Sequence, residues 1–372
     1  MSRSTKNRFV ITSLRNYVIT ITAALAAVSL SAQPRVATSF WEIVTSAYSD
    51  HPGYTILHEG EKERHCVPIT AYFGGYGEDD YHKLHHHGVA MESELMAYRI
   101  YCDKKQTIDV YCKRTPRLEL AQSAWYPNDS LLTEHYGDDI IRVGGTIGVG
   151  SVNYWRDGKI QHFEEVGERQ QWIVEQNDTM AIIRVSDIDW TVPDGHEKDP
   201  QTRQVVNFTA QYTMRAGHRD MRCDVTISAP LTTHRSPLTE TPSGLCTGVQ
   251  SIPAKGPNLK SQISNLKLPN GVLLTSFGTD WPVNDSVKYA KETVGLAVFI
   301  PKAFAGELVH NTANNLCLLN LKSQITNHKS QMEMCHAHFY LTVVGVTKED
   351  HPVATTFDEW LTYLREWAKD LE

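Results

Sequence analysis

Residues 85–114 hold the densest collection of proton-moving side chains in the sequence. They read His85-His86-His87-Gly88 and run on through Glu92, Glu94, Arg99, Asp109, Tyr111 and Lys113 to Arg114. The histidine-rich loop, His82 to His87, feeds one strand. Asp103–Gln106 reads as a turn, and a second strand follows. There Thr107, Asp109, Tyr111 and Lys113 share one face, while Ile108, Val110 and Cys112 share the other. An imidazole titrates near neutrality and serves as acid, base or ligand. A guanidinium such as Arg99 or Arg114 can grip a carboxylate through two parallel bonds. Elimination beside a uronic-acid carboxylate needs its charge offset, a base for the adjacent proton and an acid for the leaving oxygen. This segment supplies each type. His86, His87, Glu94, Tyr111 and Lys113 are therefore the candidate catalytic residues, with Arg99 and Asp109 as substrate contacts. His86, His87, Glu94, Arg99, Tyr111 and Lys113 are expected to line one cleft. The plainer alternative is a set of surface histidines beside an ordinary hairpin. Paired carboxylates could also run glycoside hydrolysis. Glu92 and Glu94 lie side by side on one strand face, so that pair alone cannot flank a sugar bond.

Other groups stand outside this segment. Gly217-His218-Arg219-Asp220 occupies a hairpin turn, where Asp commonly serves turn geometry. His218 and Arg219 are candidate substrate contacts. The polar loop Gly278–Asp285 carries Asp280, which could hold hydroxyls, and Trp281, which could stack on a sugar ring. His336 and His338, two apart on a strand, share a face and with a third ligand from His85–His87 could hold a divalent metal. Two half-buried strand histidines are the simpler reading; no cofactor is assigned, and a divalent metal stays open. Gly144-Gly145-Thr146-Ile147-Gly148-Val149-Gly150 lacks the helix and spacing of a dinucleotide site and reads as a glycine-bearing strand or bulge.

The elements that must position these groups are mostly strands. Phe40–Ser49 is expected as a short helix. From about residue 54, short alternating runs are separated by Gly, Asp, Asn and Pro clusters. In Val205–Met214, Val206, Phe208, Ala210, Tyr212 and Met214 face one way. Arg215–Asp220 then turns the chain, and Met221–Ser228 returns. Leu273–Phe277, Val294–Ile300 and Phe339–Val346 read as buried strands. Thr356-Phe357-Asp358-Glu359 is a capping-box sequence, and Phe357, Leu361, Leu364, Ala368 and Leu371 follow at helical spacing. Trp360 and Trp367 are read as widening that apolar stripe. Leu259–Asn265 and Leu321–Asn327 are near copies without amphipathic period and are expected on exposed, dispensable loops. These features predict a mainly β chain: a large antiparallel β-sandwich with a C-terminal α-helix.

The bulk numbers bound the function. Arg3, Lys6, Arg8 and Arg15 precede an apolar run from Tyr17 to Leu30, and Ser31-Ala32-Gln33 resembles a cleavage region. Residues 1–32 are thus expected to be a secretory signal, with 33–372 forming a single domain. The apolar run is short for a membrane span, and no stable insertion is expected once it is removed. The full chain carries a formal charge of −7, and loss of the four basic leader residues brings it near −11. That balance argues against nucleic acid as a partner and favours a short oligosaccharide over a long polyanion. Seven cysteines with no C-x-x-C spacing give little support to structural zinc. A Cys102–Cys112 bridge across the hairpin is one open possibility.

Several stretches also resemble a known family. His86-His87-Gly88, Glu92–Lys113, Thr146–Gly150, Gly217–Asp220, Gly278–Pro301 and Phe357–Leu371 resemble, in order, the domain-of-unknown-function family 4861. The resemblance implies secreted proteins of bacterial polysaccharide-utilisation clusters, handling complex glycans alongside enzymes for uronic-acid sugars. It implies the same fold class, similar by analogy to the supersandwich of mutarotase-type and lyase proteins. The expected function is a periplasmic carbohydrate-active enzyme, a lyase or dehydratase on uronic-acid-containing oligosaccharides. A glycoside hydrolase on similar glycans and a non-catalytic glycan-binding protein are the alternatives.

Overall fold

Alternating apolar residues on successive strands force the chain into stacked antiparallel sheets. The structure is a computed structural model and describes residues 35–75, 80–123, 125–230, 243–253, 262–324 and 332–372. The expected signal segment lies outside them. The largest sheet orders its strands as Gln262–Leu268, Gly271–Asp280, Glu292–Pro301, Met332–Gly345, Met221–Pro230, Val205–Arg215, Met180–Thr191, Glu168–Gln176 and Ala71–Gly74, with Lys322–Gln324 paired onto Met332–Gly345. Facing it are two five-stranded sheets. One orders Val36–Ser39, Gly88–Ser93, Met96–Tyr101, Ile108–Cys112 and Asp138–Asp139. The other orders Lys159–Gln161, Asn153–Arg156, Gly244–Gln250, Asn314–Leu319 and Ala305–His310. A small sheet of Trp41–Ile43, Lys62–Pro68 and Thr55–Glu59 completes the set.

The core is the space between these layers. Ile183, Val185, Phe208, Ala210, Tyr212, Met214 and Leu341 from the large sheet share one buried cluster with Val89, Tyr98, Ile100, Val110, Leu245 and Cys317 from the two facing sheets. This is a sandwich held by apolar burial, the dominant favourable term in folding. The alternation read in Val205–Met214 is the observed one, and each of its five inward residues is buried.

The large sheet's outer face is closed by the C-terminal helix, Phe357–Trp367. Its capping box is formed: Thr356 accepts from the Glu359 N–H, and the Glu359 side chain accepts from the Thr356 N–H. Trp360 is fully buried against Leu273, Ala297 and Phe299, and its Nε1–H donates to Thr275 Oγ1 at 2.9 Å. Among the described residues, no helix is long and apolar enough to cross a membrane.

Three local expectations are corrected. Phe40–Ser49 is no helix: it gives the strand Trp41–Ile43 and a single tight turn at Ser46–Tyr48, because Trp41 and Ile43 pair with Pro68 and Cys66. Cys102 and Cys112 form no bridge; both are separate buried thiols, and Cys112 points into the main core. The near-copy segments are not loops where they are described. Gln262–Asn265 belongs to an edge strand paired with Leu274–Phe277, and Lys322–Gln324 pairs with Met334–His336. Asn265 also donates to Asn315 Oδ1 at 3.0 Å. Edge pairing supplies order that no hydrophobic period announces. The rest of each copy, 259–261 and 325–327, lies outside the described residues.

The step from the histidine loop into the facing sheet is tight. His86 and His87 hold left-handed conformations, with φ of 62° and 61°. Gly88 follows, and a Cβ there would sit 1.9 Å from the Ile100 carbonyl oxygen. Gly88→Ala is expected to lower the urea midpoint at unchanged slope and to cost more than about 1 kcal/mol. An unchanged midpoint would show that the loop can shift away.

Candidate functional site

The hairpin Met96–Tyr101/Ile108–Cys112 has two contrasting faces. Tyr98, Ile100, Ile108, Val110 and Cys112 enter the main core. Arg99, Asp109, Tyr111 and Lys113 project to the other side, where the segment after Lys113 folds back over them. Leu120 and Trp125 from that segment pack on Ala90, Ala97 and Tyr111. The polar face is therefore an interior layer, and its charges need partners.

Each group has one. Lys113 and Glu92, each 1% exposed, form an ion pair. The Lys113 ammonium also donates to the carbonyls of Ser93 and Arg117. Glu92 further accepts the N–H groups of Glu119 and Leu120 at 2.7 and 2.9 Å. Tyr111 Oη donates to Glu119 Oε2 at 2.6 Å and accepts from Ser123 Oγ at 3.1 Å. Burial, then the Glu119 carboxylate, pushes the Tyr111 phenol well above its ordinary range. Glu94 accepts from Arg35 and from the Gly217 N–H at 3.0 Å, which ties the Gly217–Asp220 turn to this sheet.

A cleft of about 280 Å³ opens beside this layer. His82, His85, His86, His87, Arg99 and Trp125 line it together with Glu59 and Arg64 from the small sheet. The expectation of one cleft is thus corrected. His86, His87 and Arg99 meet there, whereas Glu94, Tyr111 and Lys113 are absent from its lining and hold the framework behind it. Tyr111 and Lys113 are sealed by the segment that folds over the hairpin, a long-range contact the alternation could not foretell.

Within the cleft the imidazoles of His85, His86 and His87 are kept neutral. Burial, with Arg99 next, takes His87 down to about 4 against the pull of Glu59. Burial likewise takes His85 to about 4 and His86 well below the usual range. His87 Nδ1 lies 3.3 Å from the Tyr81 carbonyl, so Nδ1 carries the hydrogen and Nε2 keeps its lone pair. That Nε2 is 4.0 Å from Glu59 Oε1. The His87 ring stacks on Tyr101 with centroids 5.5 Å apart. His86 contacts Ser39 Oγ through Nε2 at 2.9 Å, and its buried Nδ1 has no partner among the described residues. Burial opposes ionisation of Glu59, but Arg64 outweighs it through bonds of 2.9 and 2.7 Å and holds the carboxyl below its ordinary value.

Arg99 forms the cleft's inner wall. It is 1% exposed and donates to Asp109 Oδ2 through Nε at 3.1 Å and Nη2 at 2.7 Å. Nη2 also reaches the hydroxyls of Tyr101 and Tyr126. Trp125 covers the guanidinium with its ring centroid 4.5 Å away, a favourable cation–π arrangement.

The remaining candidates lie apart from this cleft. Arg219 is buried and paired in two-pronged fashion with Glu349 at 3.0 and 3.1 Å, which corrects its reading as a substrate contact. His218 is half-exposed, stands 3.2 Å from Asp220 and lines a different, smaller cleft with Arg222 and Tyr340. Asp280 caps the Trp281 N–H at 2.8 Å, and Lys291 sits over the Trp281 ring. His336 and His338 do share a strand face, but their ring nitrogens address the Lys322 and Glu372 carbonyls. Among the described residues, no three His, Cys, Asp or Glu converge with the spacing of metal ligands. Among the described residues, His336 and His338 thus find no third ligand.

Residues 55–372 match the model of the family described as Domain of unknown function (DUF4861). The chain belongs to the DUF4861 family. No curated protein matches it. The matched span begins at Thr55, so the DUF4861 region contains every residue that lines the histidine cleft except Ile43. The sequence alone does not single out Glu59 and Arg64. The only signal was Gly60 as a turn between two charged, alternating runs.

The framework makes separate demands. Lys113→Met leaves Glu92 without its cation and is expected to cost about 3–5 kcal/mol in chemical denaturation. Tyr111→Phe removes one donor from Glu119 and is expected to cost about 1–3 kcal/mol. A reversed order of these two losses would contradict the assignment of Lys113 as the principal tie.

Proposed function

We propose that this protein is a secreted, periplasmic carbohydrate-active enzyme that eliminates across uronic-acid-containing oligosaccharides, as a lyase or dehydratase. The observation that carries the reading is His87: a neutral imidazole, its tautomer set by the Tyr81 carbonyl, its lone pair in a cleft walled by two guanidinium groups. Arg99 and Arg64 offset the charge of the sugar carboxylate. His87 Nε2 takes the proton from the carbon beside that carboxylate. The electron pair forms the new carbon–carbon double bond as the neighbouring carbon–oxygen bond breaks, and the departing oxygen takes up the proton that His87 has received, which returns the imidazole to its neutral form. His86 lines the same cleft beside Arg99 and Trp125 and helps shape the wall against which the sugar rests. The cationic leader and apolar run of residues 1–30 support export.

Hydrolysis is less well supported by the same cleft. Glu59 is the sole carboxylate among its described lining residues, and Arg64 occupies one of its oxygens. A flanking pair is what glycoside hydrolysis uses.

Incubation with a panel of uronic-acid oligosaccharides tests the reading. Absorbance of an unsaturated product without gain of water is expected from a lyase, and with loss of water from a dehydratase. A gain of water, or no change, contradicts it. His87→Ala is expected to lower turnover by about 100-fold or more. Tyr111→Phe should stay near wild type at temperatures where it remains folded.

The pH profile has a fixed sign. A base must be unprotonated, and the folded His87 loses its proton near 4. The acid limb of kcat/KM should therefore fall near pH 4 and be flat by neutrality. An acid limb near pH 6.5, the ordinary histidine range, would remove His87 as the base.

A further inference from the structure

An exposed aromatic ring stands beside the histidine cleft. Tyr81 lies in the single tight turn Asp80–Lys83 and keeps 38% of its surface exposed. Its ring meets His82 with centroids 5.7 Å apart, His87 at 5.4 Å and Tyr101 at 6.3 Å. His82 and His87 both line the cleft. The interplanar angles are 87°, 76° and 53°, so among the described residues no ring lies flat on Tyr81.

The turn that carries this ring is fixed on either side. Asp80 is buried, and its carboxylate meets Lys83 Nζ at 2.6 Å. Leu84, just beyond the turn, is fully buried in the main core. The Tyr81 carbonyl accepts the Leu84 N–H at 3.4 Å and faces His87 Nδ1 at 3.3 Å. The backbone thus sets where the ring stands relative to His87. An aromatic side chain with only two torsions loses little freedom when a ligand settles on it.

We infer that the Tyr81 ring is the stacking platform for the pyranose unit joined to the uronic acid, and that it gives the site its preference for an oligosaccharide over a free uronic acid. The inference rests on the reading of the histidine cleft as the uronate site. That cleft, at about 280 Å³, is smaller than the roughly 300 Å³ at which sites for drug-sized ligands begin. It suits one sugar unit and leaves the next at its edge, where Tyr81 stands. A pyranose presents C–H groups on its faces and hydroxyls around its rim. The negative face of the phenol ring attracts those C–H groups, and the apolar surface covered between the two rings adds to the attraction.

Titration calorimetry on the full chain tests it with two probes: free glucuronic acid, and a disaccharide of glucuronic acid linked to a neutral hexose. The parent carries His87→Asn, so that neither probe is consumed; Asn tolerates the left-handed backbone of residue 87. The disaccharide should bind about tenfold tighter than the free acid, the scale of one aromatic contact. Adding Tyr81→Ala should bring that ratio toward one while binding of the free acid stays within about twofold. Tyr81→Phe, which keeps the ring and the carbonyl, should preserve the ratio. A ratio unmoved by Tyr81→Ala, equal weakening of both probes, or a Phe variant that loses as much as the Ala variant would overturn the platform. Equal binding of both probes by the parent would overturn it as well and leave the uronate reading standing. Binding of neither would overturn both.

Discussion

The buried pair of Arg99 and Asp109 is the constraint around which this site is built. Two charges taken from water lose several kcal/mol of solvation each, and attraction recovers it only with good geometry and further bonds. Here Asp109 Oδ2 takes two bonds from the guanidinium, two tyrosine hydroxyls complete its Nη2, and Trp125 covers its face. The pair thereby fixes the inner wall of the histidine cleft. It also sets the cleft's electrostatics, since the Arg99 charge adds to burial in keeping His86 and His87 unprotonated.

A second layer of polar bonds keeps that wall in place. Glu92 and Glu119 act as hubs, one binding Lys113 and two backbone N–H groups, the other binding Tyr111, Arg117 and the Gly137 N–H. Both hubs fasten the chain after Lys113 onto the polar face of the sheet. Such a network fixes one arrangement because a partly satisfied version would leave a charge buried without compensation. The left-handed backbone at His86 and His87 is held by its own contacts: His86 meets Ser39, the His87 N–H donates to the Leu84 carbonyl, and the Cys102 N–H donates to the His87 carbonyl.

The fold was legible in the sequence where burial follows a period. Val206 to Met214, the returning strand from Met221 and the capped helix from Phe357 could be read directly, because periods of two and 3.6 residues report which side chains face a core. The hairpin of the candidate site was legible in its alternation but not in its environment. Asp109, Tyr111 and Lys113 look the same whether their face meets solvent or a returning segment. Glu59 and Arg64 reach the cleft only through the packing of a separate sheet, and nothing local marks them. Asn265 and Lys322 show the converse: segments without a period are ordered by pairing at an edge.

The proposed chemistry requires histidines that are neutral because they are buried beside a cation. Nuclear magnetic resonance of the selectively labelled imidazoles, followed against pH on the full chain, tests this most directly. His87 should stay unprotonated from neutrality down to about pH 5, with its hydrogen on Nδ1 and its titration centred near 4, and His86 should titrate well below the ordinary histidine range. Titration of both near 6.5, the value of an unperturbed histidine, would contradict it.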